Sequence, residues 1–239
     1  MVWTAASTFG LLAMTKEKYD LIIFDCDGTL TDSERAYNEC SVDVFREYGL
    51  DFTVDYALKN WMGKSQDDIV RLEEEKNGIS LPLQDIKNKF IINTPAYLGK
   101  YLRPIPGALE AVRELHKNFK CCVASNGERQ NVIASLELLN FTGLFDGQHV
   151  FTKDDVPRAK PFPDLFLHAC KVMNLTPERS IIIEDSVSGV RAARASGGYT
   201  IGFNGVDHHN LQSDGKLKEA GADIVFSDWK DILDHINSL

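Results

Sequence analysis

The chain has 239 residues, of which 44% are hydrophobic and 26% charged, a composition ordinary for one globular core with a modest insert. Its 26 basic and 35 acidic residues give a formal net charge of -9, which argues against nucleic acid or an anionic membrane as a partner. The five cysteines are an odd number, and several lie in or beside predicted strands. Buried reduced thiols and a cytoplasmic location are therefore expected, rather than disulfides or a zinc site.

Residues 1–18 are predicted to form an N-terminal extension. The first thirteen are weakly apolar, but their apolar run is short and no basic residue precedes it, so a signal peptide is not expected. Met14 is interpreted either as an alternative start or as part of a loose extension. No stretch of the sequence is apolar for long enough to span a membrane.

The first core strand is predicted at Leu21–Phe24, a short apolar run typical of buried parallel strands. Asp25 and Asp27 follow directly, in a turn that contains Gly28. Two carboxylates one residue apart form a compact negative site, and a divalent cation of the Mg²⁺ type prefers such oxygen ligands. Asp25 is therefore a candidate nucleophile and metal ligand, and Asp27 a candidate acid and base. An isolated Asp-x-Asp pair is more often a solvated turn, and its place after the strand favours catalysis.

The strand signal disappears after this motif, and residues 34–101 are predicted to form a helical domain inserted into the core. Glycines and a Ser-x-x-Asp start indicate where its helices begin and end. A proline is expected to interrupt the last of them. The predicted helices are 34–48 closed by Gly49, one that starts at Ser65 and ends before Gly78, and 83–98 interrupted at Pro95.

Beyond the insert, apolar strand candidates alternate with segments of helical periodicity. This alternation predicts an α/β fold, a doubly wound Rossmann-like parallel sheet with an inserted α-helical cap domain, and it assigns the core to residues 19–33 and 102–239. Ligands of such sheets bind at the carboxyl ends of the strands. The strand candidates are Cys121–Ala124, Ile181–Ile183, Tyr199–Phe203 and Ile224–Phe226, and the helix candidates are 128–140 and 165–172.

Four polar motifs occur in chain order, most of them directly after predicted strands. They are Asp25-Cys26-Asp27-Gly28-Thr29, then Ser125-Asn126-Gly127, then Lys160-Pro161, and finally Glu184-Asp185-Ser186. In type, order and position they resemble the motifs of the haloacid dehalogenase superfamily, in its β-phosphoglucomutase-like and sugar-phosphate phosphatase branch. The helical insert is similar to the small cap of that branch, because the gap between Ser125 and Lys160 is too short for the larger alternative cap.

The resemblance implies phosphoryl transfer in two steps. Asp25 would attack phosphorus and form an aspartyl-phosphate. Asp27 would protonate the leaving alcohol and then take a proton from the attacking water. Lys160 would supply the positive charge that the phosphoryl group and Asp25 both require.

The resemblance also implies the remaining parts of the site. Ser125, with Asn126 and Gly127 beside it, would bind the phosphoryl group. Mg²⁺ would be bound by Asp25, by the backbone carbonyl of Asp27 and by Asp185. Glu184 would lie beside these ligands and orient them without binding the metal itself.

Each assignment also has a purely structural interpretation. Ser125 could cap a turn, Lys160 could be a surface lysine, and Glu184-Asp185-Ser186 could cap the following helix. Their positions at strand ends, and the prolines that frame Lys160, favour the functional interpretation. His208-His209 is interpreted as part of a polar loop rather than a metal site, because no third ligand accompanies it.

The expected substrate is a small phosphorylated metabolite, a sugar or sugar-acid phosphate. The cap loop that contains Lys64 is interpreted as a specificity loop, in which Lys64 either contacts the leaving group or is solvated. Tyr37 and Gln66 occupy positions where β-phosphoglucomutases carry His and Arg, so hydrolysis is favoured over the alternative, a phosphohexomutase.

Two further alternatives belong to other classes. The intact acidic and basic residues of the four motifs disfavour a non-catalytic binding protein on the same fold. A dehalogenase would leave Asp27 and the metal site without a role. A monomer or weak dimer is expected.

Overall fold

The computed structural model describes residues 18–61, 64–206 and 214–239. In chain order the strands are β1 (Leu21–Phe24), β2 (Thr31–Asp32), β3 (Arg103–Pro104), β4 (Lys120–Ser125), β5 (Val150–Thr152), β6 (Ser180–Glu184), β7 (Tyr199–Phe203) and β8 (Ile224–Phe226). The α-helices are α1 (Glu34–Arg46), α2 (Val54–Asn60), α3 (Gln66–Asn77), α4 (Leu83–Tyr101), α5 (Ala108–Leu115), α6 (Arg129–Leu138), α7 (Asp164–Val172), α8 (Val187–Ser196), α9 (Asp214–Ala220) and α10 (Trp229–Ile236). Lys153–Asp155 and Pro177–Arg179 form short 3₁₀ turns.

Six of these strands form one parallel sheet in the order β5-β4-β1-β6-β7-β8. The register pairs Phe24 of β1 with Val123 of β4 on one side and with Ile183 of β6 on the other. The residues that follow Phe24 therefore lie between the ends of β4 and β6. The chain adds β4 and β5 on one side of β1 and then β6, β7 and β8 on the other. A doubly wound sheet opens a crevice for ligands at such a reversal of strand order.

Alternate side chains of β1 pack on opposite faces of the sheet, as the period of two in a strand requires. Ile22 and Phe24 belong to one buried apolar cluster, and Leu21 and Ile23 belong to another. Helices cover both clusters, so β1 is apolar along its whole length. The predicted doubly wound parallel sheet is confirmed.

The predicted strands are present, each with at most two additional residues, but β5 and the short pair β2–β3 were not foreseen. The two predicted core helices also form, as α6 and α7. The spacing of Leu165, Phe166, Ala169 and Val172 in the sequence predicts one buried helical face. The first three are buried, but Val172, at the end of α7, is 46% exposed. The N-terminal extension and His208-His209 lie almost entirely outside the described residues.

Helices α1 to α4, called the helical insert below, lie between β2 and β3. These two strands pair antiparallel, with Asp32 opposite Arg103, so the chain leaves and re-enters the core at neighbouring points. The insert has an apolar cluster of its own, in which Phe45 and Trp61 pack ring against ring with centroids 5.1 Å apart. In the same cluster Trp61 donates its indole N–H to the buried carboxylate of Glu73 at 2.7 Å.

The predicted interruption at Pro95 is wrong, because α4 runs from Leu83 through Pro95 to Tyr101. A proline inside a helix has no N–H to donate to the carbonyl four residues earlier, which is that of Ile91. The side chain of Gln130 on α6 donates to the Ile91 carbonyl at 3.0 Å. The acceptor that Pro95 leaves open is thus satisfied from the core, and this bond joins the insert to α6.

None of the helices in the described parts of the chain is long and apolar enough to cross a membrane.

Candidate active site

Asp25 lies at the carboxyl end of β1 and is 6% exposed. Lys160 places its ammonium 2.7 Å from the Oδ1 atom of Asp25 and 2.7 Å from the carbonyl oxygen of Ala124. The same ammonium contacts the buried carboxylate of Glu184 at the end of β6. Burial alone would lower the pKa of Lys160, but the carboxylates of Asp25 and Glu184 outweigh it and raise that pKa above its ordinary value.

Lys160 is held in this position by a reciprocal pair of hydrogen bonds with Asn126. The Lys160 backbone N–H donates to Oδ1 of Asn126, and Nδ2 of Asn126 donates to the Lys160 carbonyl, both at 3.0 Å. Asn126 follows β4, so the pair fixes the loop that carries Lys160 against the end of the neighbouring strand. The side chain of Asn126, predicted to contact substrate, is thereby engaged in positioning Lys160.

Asp27 is oriented by two hydroxyl groups that donate to the same carboxylate oxygen. Ser33 donates to its Oδ1 at 2.6 Å, and Tyr37, on the first helix of the insert, donates to Oδ1 at 3.1 Å. Burial raises the pKa of Asp27 to about 6, although the hydrogen bonds from Ser33 and Tyr37 act in the opposite direction.

The other oxygen of Asp27, Oδ2, faces the end of β4. A Cβ atom on Gly127 would lie 3.2 Å from Oδ2 of Asp27, 3.2 Å from Oγ of Ser125 and 2.8 Å from a methyl group of Val132. Gly127 therefore allows these groups to approach closely. The Gly127 N–H donates to Oγ of Ser125 at 2.9 Å, so the Ser125 hydroxyl keeps its own proton available for donation.

Two glycines make room for the acidic side chains at the end of β6. Gly28 has a φ of +88°, and a Cβ there would lie 2.1 Å from the Asp185 carboxylate. A Cβ on Gly189 would lie 2.0 Å from the Glu184 carboxylate. Ser186 donates to the Glu184 carboxylate from its N–H at 3.2 Å and from its hydroxyl at 3.1 Å.

Asp25, Glu184 and Asp185 offer carboxylate oxygens that all lie within 4.8 Å of one another. Burial, followed by the charges of Asp25 and Glu184, raises the pKa of Asp185. Hard oxygen donors crowded in a buried site fit a divalent cation such as Mg²⁺. Glu184 contacts Lys160, as Asp25 does, and also accepts hydrogen bonds from Ser186. Its expected place beside the metal ligands, rather than among them, stays a prediction.

Seven of the nine predicted site residues meet at one opening, and Glu184 and Lys64 do not line it. Asp25, Asp27, Ser125, Lys160 and Asp185 line a pocket of about 200 Å³, together with Asn126 and Gly127. It adjoins a cavity of about 640 Å³ between the core and the helical insert, and the exposed Lys64 lies on that cavity's lining.

Three contributors were missed by the sequence analysis, namely Ser33, Gly189 and the hydroxyl of Tyr37. The sequence could have indicated Ser33, because this residue ends the motif that begins at Asp25. The other two depend on contacts between distant parts of the chain. Tyr37 was noted only as a departure from the expected histidine, and its hydroxyl is the group that reaches Asp27.

A family model described as haloacid dehalogenase-like hydrolase matches residues 22–203. The chain belongs to this family.

Curated relatives agree with this assignment. The chain is 28% identical to 6-phosphogluconate phosphatase of Escherichia coli over 81% of its own length and 86% of the relative's. It is 32% identical to phosphorylated carbohydrates phosphatase of Thermotoga maritima, over 85% of its own length and 92% of the relative's. These relatives bear out the predicted class of enzyme, a phosphoric monoester hydrolase.

One further relative is much longer than this chain, and one solved structure has the same fold. The chain is 32% identical over 88% of its length to the chloroplastic protein SUPPRESSOR OF QUENCHING 1 of Arabidopsis thaliana, of which it spans 20%. A crystal structure of a conserved haloacid dehalogenase-like protein from Agrobacterium tumefaciens, 29% identical, superimposes with a TM-score of 0.75. That match covers 92% of this chain and 98% of the other.

Proposed function

We propose that this chain is a Mg²⁺-dependent phosphatase that hydrolyses a sugar or sugar-acid phosphate through an aspartyl-phosphate on Asp25. The contact between the Lys160 ammonium and Asp25 Oδ1, at 2.7 Å in a pocket also lined by Asp27, Ser125 and Asp185, carries the proposal. It pairs a buried carboxylate nucleophile with the positive charge that a phosphoryl group requires. The relatives named for 6-phosphogluconate and for phosphorylated carbohydrates support the substrate class.

The first step transfers the phosphoryl group to Asp25. An oxygen of Asp25 forms a bond to phosphorus as the bond from phosphorus to the leaving oxygen breaks. Asp27 gives the leaving oxygen a proton, so that an alcohol departs rather than an alkoxide. Oδ2 of Asp27 is suited to this role, because Ser33 and Tyr37 occupy Oδ1 and Oδ2 faces Ser125 and Gly127.

The second step returns the enzyme to its starting state. Asp27, now a carboxylate, takes a proton from water, which attacks phosphorus and releases inorganic phosphate from Asp25. A pKa near 6 lets Asp27 serve as the acid in one step and the base in the other near neutral pH. The Ser125 hydroxyl and Lys160 hold the phosphoryl oxygens through both steps.

The proposed metal ligands are Asp25, Asp185 and the backbone carbonyl of Asp27. When bound there, Mg²⁺ supplies positive charge to the phosphoryl oxygens and helps to neutralise the acidic cluster.

The helical insert, with the predicted limits 34–101, is proposed to act as a cap. Its first helix reaches Asp27 through Tyr37, and its last helix accepts a hydrogen bond from Gln130 on the core. The cavity between the two parts would enclose the leaving group and exclude water from the first step.

Phosphate release from a panel of phosphorylated sugars, sugar acids and nucleotides, assayed with Mg²⁺, tests this proposal. The wild-type protein should release phosphate from sugar or sugar-acid phosphates, and Asp25→Asn should not, although its circular dichroism spectrum should be unchanged. Asp231→Asn, the same substitution at an exposed position on α10, serves as the matched control and should behave like the wild type. Phosphate release by Asp25→Asn at the wild-type rate would overturn the proposal.

A further inference from the structure

Trp229, the first residue of α10, is buried against the strand that leads to the proposed nucleophile. It is 1% exposed. Its ring packs against Phe24 with centroids 6.0 Å apart and against Phe203 with centroids 5.7 Å apart. Phe24 is the last residue of β1 and directly precedes Asp25. Helix α10 therefore contacts the start of the segment that carries Asp25 and Asp27.

The same side chain holds the other end of that segment, residues 25–29, called the Asp25 loop below. The indole N–H of Trp229 donates to the carbonyl oxygen of Thr29 at 3.1 Å, in a buried contact between residues 200 positions apart. No other hydrogen bond reaches this carbonyl from the part of the chain that the structure describes. A buried carbonyl is costly to leave without a donor, so loss of the indole N–H favours movement of the loop.

The hydrogen bonds within the Asp25 loop mainly close the turn on itself. The N–H groups of Thr29, Leu30 and Thr31 all donate to the carbonyl of Cys26, at 3.3, 2.9 and 3.0 Å. The start of the loop is anchored to the sheet, because the N–H of Asp25 donates to the carbonyl of Ile183 at 2.9 Å. The bond from Trp229 anchors its end to the core.

A shift of this loop would change the distances between the groups of the active site. A Cβ on Gly28 would lie 2.1 Å from the carboxylate of Asp185, and the Thr29 hydroxyl donates to Oδ1 of Asp185 at 3.5 Å. The loop also carries Asp25 and Asp27, which have to act on the same phosphoryl group. A misplacement of about 1 Å in such an arrangement can cost about 100-fold in rate.

We propose that Trp229 is a positioning residue, which holds the Asp25 loop in the geometry needed for phosphoryl transfer. It contacts no reacting group and acts through Phe24 and Thr29. The inference rests on the proposed function and extends the support of the active site to α10, outside the four motifs of the sequence. The alternative is a purely structural role, in which the buried indole N–H needs only some acceptor. That alternative predicts a loss of stability without slower chemistry.

Trp229→Phe keeps an aromatic ring beside Phe24 and removes the N–H group. At a temperature well below melting, kcat should fall about tenfold to 100-fold while KM stays within about twofold of the wild type. The loss should be similar for a sugar phosphate and for p-nitrophenyl phosphate, because the Asp25 loop serves both leaving groups. The backbone amides of residues 28–31 all donate hydrogen bonds, and they should exchange with deuterium faster than in the wild type. This second measurement does not depend on activity.

Ile236→Ala is the matched control. Ile236 is 2% exposed and belongs to the same buried cluster, two turns beyond Trp229 at the other end of α10. Both variants should melt below the wild type, by on the order of 5 °C, because each loses buried contacts. The control should keep the wild-type kcat, KM and amide exchange of residues 28–31.

The outcomes separate the positioning role from the function on which it rests. A wild-type kcat in Trp229→Phe, a loss confined to KM, or an equal loss of kcat in Ile236→Ala would overturn the role of Trp229 and leave a phosphatase. Unchanged amide exchange of residues 28–31 in Trp229→Phe would also overturn it. Absence of phosphate release from every substrate by the wild type would overturn the proposed function and the positioning role with it. If Trp229→Phe does not fold, 3-benzothienylalanine at position 229, which keeps the ring size and has sulfur in place of the N–H group, decides by the same measurements.

Discussion

Tyr37→Phe probes how the helical insert orients the acid in the core. The substitution removes the hydroxyl that donates to Oδ1 of Asp27 at 3.1 Å. The ring should stay in place, because it packs against Phe90 with centroids 6.0 Å apart. Ser33 still donates to the same oxygen at 2.6 Å, so one of two hydrogen bonds is lost.

The size of the effect follows from this geometry. A hydrogen bond to a charged group stabilises that group by about 1.5–3 kcal/mol. The bond from Tyr37 is longer than the bond from Ser33, so its contribution should lie near the lower end of this range. A loss of about 1.4 kcal/mol in the first transition state corresponds to about a tenfold lower rate. Tyr37→Phe should therefore lower kcat/KM about tenfold for a sugar phosphate, whose alkoxide leaving group needs a proton.

The assay compares kcat/KM for the sugar phosphate with kcat/KM for p-nitrophenyl phosphate. Each kcat/KM reports the steps up to phosphoryl transfer. Because p-nitrophenolate leaves without a proton, kcat/KM for p-nitrophenyl phosphate should change less than about twofold. Tyr97→Phe is the matched control, because its hydroxyl donates to Asp43 within the insert at 2.6 Å, and it should change neither value. Equal losses on both substrates, or no loss on either, would refute the role assigned to Tyr37.

Three further predictions concern acid–base catalysis, metal and thiols. Asp27→Asn should lose about 10²- to 10⁴-fold in sugar-phosphate hydrolysis while remaining folded, as phosphate release and circular dichroism would show; a near wild-type rate would remove Asp27 from the chemistry. A chelator should abolish activity without unfolding the protein, and Mg²⁺ should restore it; full activity with trace metal measured as absent contradicts the metal site. Burial raises the pKa of the Cys26, Cys121 and Cys122 thiols. An alkylating reagent at mildly alkaline pH should therefore modify these thiols only in denaturant. Alkylation of any of the three in the native protein, detected by mass spectrometry, would contradict this prediction.

Another prediction separates hydrolysis from phosphohexomutase activity, and it is tested with β-glucose 1-phosphate and a trace of its 1,6-bisphosphate. Inorganic phosphate or nothing should appear, because Tyr37 and Gln66 stand where the mutases carry His and Arg. Steady formation of glucose 6-phosphate without matching phosphate release would favour the mutase.

The residues that face the proposed phosphoryl site were predictable because parallel strands end at one edge of the sheet. Asp25 follows β1, Ser125 ends β4 and Asp185 follows β6, so the apolar runs indicated where these residues lie. The roles of Ser125 and Asp185 came from the family resemblance. Lys160 follows no strand, and its assignment depended on the family resemblance. Its reciprocal bonds to Asn126 could not be foreseen, because they join segments 34 residues apart.

The features that the sequence did not reveal either depend on tertiary contacts or are too short to show a periodic pattern. The helix was expected to break at Pro95, but the core supplies the donor that the open carbonyl needs, and no local pattern encodes Gln130. Strand β5 has three residues, too few to show a period of two. Helix α2 has seven, and its clearest signal is the N-cap hydroxyl of Thr53.

The most direct test of the proposed mechanism is to identify the residue that carries the phosphoryl group. Asp27→Asn should react with p-nitrophenyl phosphate, which needs no acid to depart, and then hydrolyse slowly because the base is gone. After acid quenching, peptide mass spectrometry should find the phosphoryl group on Asp25, and the double variant Asp25→Asn, Asp27→Asn should carry none. A phosphoryl group on another residue, or one that persists in the double variant, would contradict Asp25 as the nucleophile.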